Sequence, residues 1–240
     1  MEQAQEIKVV KVVQDPRISL KQFSRYNKAT EKGKENILKG CKYPSGYVPR
    51  FYEKARKIVC DTLGSNFDDY ELYFDQFVKQ AAALRKEAIE FPSDKDEYKN
   101  RICSANGLMA FVAMGKQIVP LLRKYVLNSN ISNRRDAIQI EGVKIGAVAD
   151  MLLFENAGAS QVGLLKFNFT KAPMSRLEAE YMLYVLRKFS KDKYGIKVEL
   201  KDCILVDVFS SKIFIATDDV FIEEPARLAC LDIKGRWVGI

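Results

Sequence analysis

The stretch GAVADMLLFENAGASQVGLLKFNF, residues 146–169, decides the fold. Two apolar runs, 146–154 and 161–169, flank the turn-forming segment ENAGAS, which is the pattern of a β-hairpin. A turn centred on Gly158 places Asp150 opposite Lys166, with Cβ atoms roughly 4.5–5.5 Å apart. Side chains alternate along a strand. One face then carries Val148, Asp150, Leu152 and Phe154 with Val162, Leu164, Lys166 and Asn168. The other carries Ala147, Ala149, Met151 and Leu153 with Gly163, Leu165, Phe167 and Phe169. Both faces are largely apolar, so helices are expected on both. An acid and an amine inside such a sheet cost several kcal/mol each in lost hydration before their attraction compensates. Asp150 and Lys166 are therefore candidates for function. A cross-strand salt bridge at a sheet edge is the plainer alternative, and a one-residue slip in register would separate the two groups.

Working outward, Ile138 and Ile140 alternate with polar neighbours as a strand. Ser175 and Pro173 introduce a helix at about 176–190. CILVDVF (203–209) and KIFIAT (212–217) read as strands around a Ser210-Ser211 turn, and a short helix is expected at about 221–232. Upstream, residues 49–128 read as three helices: one from Pro49 to Gly64, one from Asp68 to Glu90, and one from Asp94 or Asp96 towards Asn128, bent by Gly107, Gly115 and Pro120. Phe67, Tyr70, Phe74 and Phe77 recur at helical spacing, as core residues do. IKVVKVV (7–13) could be a short strand, and residues 15–50, punctuated by Gly33, Gly40, Pro44, Gly46 and Pro49, read as irregular. The expected architecture is an α+β or α/β protein. A basic extension and helical region (1–130) precedes a mixed sheet flanked by helices (131–240), the two packed as one unit.

The chain has 240 residues, 48% apolar and 29% charged, as in ordinary globular proteins. No apolar run is long enough for a transmembrane helix, and the first residues lack the layout of a signal peptide, so a cytoplasmic location is expected with no membrane partner. There is no histidine, which excludes Ser-His-Asp and Cys-His catalysis and imidazole zinc ligation. The five cysteines form no CxxC pair; no zinc site is expected, and they read as buried small side chains.

The net charge of +8 lies wholly in residues 1–60, which hold 14 basic and 6 acidic residues. There Arg25, Lys28, Lys32, Lys34, Lys39 and Lys42 interleave with Phe23, Tyr26, Tyr43 and Tyr47. Charges for phosphates and rings for bases are the logic of nucleic-acid contact. A solvated basic surface, or an extension whose aromatics dock on the core, accounts for the same residues.

The acid in one hairpin strand and the lysine in the next, followed by a helix and further strands, resemble the PD-(D/E)XK nuclease superfamily over roughly residues 136–217. The resemblance implies a restriction-endonuclease-like fold, a Mg²⁺ cofactor and metal-dependent cleavage of DNA. Asp150 matches the strand acid, a metal ligand, and Lys166 the lysine that positions or activates water. Leu164 stands where the family's second carboxylate is expected. Some members supply that acid from the following helix, which makes Glu178 the candidate, with Glu180 as the alternative. Helix phase puts Glu178 on the apolar face with Met182, Val185 and Phe189, while Glu180 projects near Arg187. Ser175-Arg176-Leu177-Glu178 also fits a capping box, which alone accounts for Glu178. Asp207 is a further acid, most simply read as a strand-end aspartate bonded to backbone. A strand ending in Asp207-Val208-Phe209-Ser210 behind an aromatic-rich helical half is similar to bacterial and phage proteins.

Three readings follow. The protein is a metal-dependent nuclease or nuclease-like protein acting on DNA, with Asp150, Lys166 and Glu178 as the catalytic set and Asp150 and Glu178 holding Mg²⁺. Alternatively it is an inactive nuclease-fold protein that binds nucleic acid or a protein partner. Or it is an interaction protein whose aromatic helices mediate assembly, as a homo-oligomer among other possibilities.

Overall fold

The computed structural model describes residues 12–45, 51–133, 135–155, 158 and 160–240. The architecture is α+β. In chain order it comprises β1 (Arg17–Ile18), α1 (Leu20–Tyr26), α2 (Glu31–Lys42), α3 (Glu53–Leu63), α4 (Tyr70–Ala88), α5 (Asp96–Ala113), α6 (Gly115–Leu122), β2 (Val126–Ser129), β3 (Ala137–Ile140) and β4 (Val143–Gly146). Then come β5 (Met151–Phe154), β6 (Gln161–Asn168), α7 (Arg176–Tyr194), β7 (Cys203–Asp207), β8 (Lys212–Ile215) and α8 (Val220–Trp237). Among the described residues no single helix is long and apolar enough to cross a membrane.

The central sheet has the order β2-β5-β6-β7-β8. Only the β6–β7 pair is parallel, because α7 carries the chain back across the sheet between them. A second, three-stranded sheet has the order β1-β4-β3. β1 pairs with β4 and β2 pairs with β5, so segments from both sides of residue 130 share both sheets. The β5–β6 register is the one that the turn at Gly158 dictates: Met151 faces Leu165 and Leu152 faces Leu164, with an irregularity only at Phe154.

Each face of the central sheet has its own core. Met151, Leu153, Leu165, Phe167, Ile204 and Val206 pack under α3, α4 and α5. Phe77, Phe111 and Phe167 meet there edge to face, with centroids 5.4 and 5.6 Å apart. On the other side, Leu164, Cys203 and Leu205 pack with α7, α8, α1 and the small sheet. Burial on both faces accounts for the near-continuous apolar composition of β6 and β7.

Several expectations need correction. Residues 15–45 are not irregular: they hold α1 and α2, while residues 46–50 lie outside the described residues. Ser19 starts α1 with a capping box to Gln22, and the Thr30 hydroxyl accepts from the Gly33 N–H at the start of α2. The Thr30 cap together with the burial of Leu38 and Cys41 offsets the cost of Gly33 and Gly40 inside α2, about 1 kcal/mol each. The third helix does not reach Asn128, because Val126–Ser129 is an edge strand held by β5. The run 146–154 is not one strand. Gly146 ends β4, and Ala147–Asp150 crosses from the small sheet to the large one, with the Ala147 N–H donating to Asp136 O and the Asp150 N–H to Leu165 O. Strand alternation is broken there, so Ala147 and Ala149 join the core on the Leu164 side rather than the Met151 side. Of the proposed strand 7–13, residues 7–11 lie outside the described residues, and Val12 and Val13 are in no strand.

Gly163 is required by close approach. A Cβ there would lie 2.4 Å from the Asp202 carbonyl oxygen and 2.9 Å from Leu153 Cδ1. Gly163→Ala is expected to lower stability by about 1–3 kcal/mol in urea denaturation, the usual range for an overpacked core. Unchanged stability would contradict this packing of β6 against the segment leading into β7.

Candidate functional site

Asp150 sits at the entry to β5 and is 1% exposed. Its Oδ1 accepts from Lys166 Nζ at 2.9 Å and lies 3.5 Å from Arg56 Nη1; its Oδ2 accepts from the Phe167 backbone N–H at 2.8 Å. Lys166 Nζ also donates to Val148 O at 2.8 Å. Two of its three donors are thereby used. Arg56 comes from α3, one turn before Val59 and Cys60 on the buried side of that helix. Its Nε is buried and has no hydrogen-bond partner among the described residues. A buried guanidinium donor without a partner is costly, and an anion would satisfy it.

Lys166 and Arg56 line a cleft of about 630 Å³, to which α1 contributes Lys21. Lys21 Nζ donates to the Thr170 hydroxyl, which donates to Asn168 Oδ1. Asn168 Nδ2 in turn donates to Asp207 Oδ1 at 2.7 Å. Burial, reinforced by Arg25, lowers the pKa of Lys21, against the opposing pull of Asp207 and Glu178. Asp207 is wholly buried and also accepts from the Met174 N–H at 2.9 Å and from the Ser210 hydroxyl. It is a strand-end aspartate that fixes the chain between β6 and α7. Three cations from three elements thus converge on one cleft, with the Asp150 carboxylate beside two of them and Glu53 also in the lining.

Glu178 is buried as its helix phase requires, yet it is bonded elsewhere. It closes the capping box with Ser175, accepts from Lys28 Nζ at 2.9 Å and lies 3.9 Å from Arg25 Nε. Burial alone would raise its pKa; the hydrogen bonds from Lys28 and Ser175 prevail and hold it below the ordinary carboxylate value. None of these partners is Asp150 or Lys166. Glu180 pairs with Arg176, at 2.6 Å. Among the described residues no three His, Cys, Asp or Glu side chains gather in one place. The cysteines are free thiols, buried except for the half-buried Cys103.

The basic residues of the first quarter are largely engaged at home. Lys34 pairs with Glu31 and Asp232, Lys39 with Glu35, and Lys28 with Glu178. Lys42 donates to the carbonyls of Trp237 and Ile240. Lys32 has no ion-pair partner among the described residues. Phe23 and Tyr26 are core residues and Tyr43 is exposed, while Tyr47 lies outside the described residues.

Sequence reasoning missed Lys21 and Arg56 as site residues. Arg56 is the basic residue nearest the apolar stripe Ala55-Val59-Cys60-Leu63, which is the signal that could have marked it. No protein-family model matches the chain, and no curated protein matches it.

Removing one member of a buried ion pair typically costs about 3–5 kcal/mol, whereas replacing both by apolar groups is close to neutral. Asp150→Ala is expected to fall in that range, and Asp150→Ala/Lys166→Met to regain much of the loss in a double-mutant cycle by urea denaturation. Additive single effects would contradict the coupling. For Glu178, the depressed folded pKa means that its stabilisation is complete above the unfolded value and is lost as pH falls through the folded one. The destabilisation by Glu178→Gln is therefore expected to be largest near neutrality and to shrink in acid. A pH-independent difference would contradict the pairing with Lys28.

Proposed function

We propose that the protein binds nucleic acid by holding its phosphates in the cationic cleft. The observation that carries this reading is the convergence of Lys21, Arg56 and Lys166 on one cleft, with a buried Arg56 donor left without a partner. A positively charged cleft is how proteins track a phosphate backbone without reading sequence. The nuclease-like resemblance is supported by the order acid at the entry to a strand (β5), lysine strand (β6), helix (α7) and parallel strand (β7), and by the ion pair between Asp150 and Lys166. Fold likeness alone does not carry an activity.

Mg²⁺ does not fit the donors as they are arranged. Asp150 already serves Lys166, Arg56 and the Phe167 N–H, and two cations beside it oppose a third. Leu164, in the place of a second acid, is buried in the apolar core. The favoured reading is therefore the nuclease-fold protein that binds without cutting. DNA is the favoured ligand.

A hydrolytic reading has one specific observation behind it, the Asp150–Lys166 pair set side by side at the cleft. It requires cleavage dependent on Mg²⁺ or Mn²⁺ and abolished by Lys166→Ala; metal-independent retention of intact DNA favours the first reading.

Fluorescence anisotropy with a labelled DNA oligonucleotide over a salt series tests the cleft. Affinity is expected to fall as salt rises, and Lys21→Gln and Arg56→Gln are each expected to weaken binding and reduce the log–log slope by about 1. If binding is instead lost on neutralising Lys32 and Lys39 and is indifferent to Lys21 and Arg56, the α2 surface is the interface and the cleft reading falls.

A further inference from the structure

A second cavity, of about 230 Å³, lies between the sheet and α7. Its sheet side is built from Ala147, Ala149 and Leu164, and its helix side from Leu186, Phe189 and Ser190. The two alanines leave room where the crossing segment passes in front of β6. Ser190 is 2% exposed, and its hydroxyl has no hydrogen-bond partner among the described residues. A helix serine in an apolar wall ordinarily turns its hydroxyl onto backbone. An unpaired one at a cavity marks a place where a ligand polar atom would be bound. Further polar groups lie in the same wall: Asp136 accepts from Asn133 at 2.6 Å and from the Tyr194 hydroxyl at 3.4 Å, and Gln161 stands nearby.

The cavity adjoins the cationic cleft. Asn133 lines both. Leu164 faces the cavity and Lys166 the cleft, two residues apart on one strand face, which is roughly 6.6 Å by strand rise. The volume is below the range of drug-sized pockets and suits a single ring system. Apolar and aromatic walls with a few hydrogen-bonding groups at the edges are the features that hold an unstacked base.

We propose that this cavity takes the base of a nucleotide whose phosphate rests on Lys166 and Arg56. The inference rests on the phosphate-binding reading of the cleft and names its ligand more closely. The ligand is an unpaired nucleotide, either within a single strand or free. Stacking and hydrogen bonding of one base are worth about 1–3 kcal/mol, which is about 5- to 150-fold in affinity.

The test compares three probes on the intact chain: a short single-stranded oligonucleotide, an all-abasic strand with the same phosphates, and nucleoside 5′-monophosphates. The base-bearing strand is expected to bind at least about fivefold more tightly than the abasic one. Ser190→Leu, which fills the cavity, is expected to abolish that difference while leaving the abasic affinity unchanged. Ala149→Val provides a second filling variant should Ser190→Leu fail to fold. A monophosphate that binds and is lost in the same variants identifies the free nucleotide as a ligand; a preference seen only with strands identifies the strand. Equal affinity of the two strands, with no monophosphate binding, overturns the base site and leaves the cleft standing. No binding of any probe overturns the cleft and the base site together.

Discussion

The ion pair between Asp150 and Lys166 is the constraint on which the rest of the site depends. Leaving either charge at that depth without the other typically costs about 3–5 kcal/mol. The pair holds only while β5 and β6 keep their register and the crossing segment 147–150 presents Val148 O and the Asp150 carboxylate to the same ammonium. The Phe167 N–H on Asp150 Oδ2 ties that carboxylate to the lysine strand a second time. Arg56 then approaches from α3, so helix, crossing segment and hairpin are fixed against one another by a single carboxylate.

This arrangement has a consequence for chemistry. A carboxylate that neutralises two cations is a poor anchor for a third. The same two cations, joined by Lys21, give the cleft a positive character that a phosphate would complete. The other acid expected at the site, Glu178, is held by Lys28 and its own capping box. The charges around the cleft thus suit holding an anion better than holding a metal ion.

The facing of Asp150 and Lys166 was legible in the sequence because the register of the hairpin, Met151 on Leu165, carries one residue beyond the start of β5. The capping role of Glu178 was legible too, since S-x-x-E acts locally. Lys21 and Arg56 were not, because they reach the cleft from helices far away in sequence, and only tertiary packing brings them there. α1 and α2 were obscured by Gly33 and Gly40, whose cost in a helix is smaller than the caps and apolar contacts that Leu20, Phe23 and Leu38 supply. The strand nature of Val126–Ser129 comes from pairing with β5 rather than from its own composition. The crossing at Ala147–Asp150 was hidden for the same reason: four residues of strand-like composition serve as a bridge between two sheets.

The most direct measurement of the central claim is a backbone-amide NMR titration with inorganic phosphate and then with a short single-stranded oligonucleotide. The account predicts that the amides around Lys21, Arg56, Lys166 and Phe167 shift together and saturably with both. Shifts confined to the α2 surface around Lys32 and Lys39, with the amides of β6 unmoved, would contradict it.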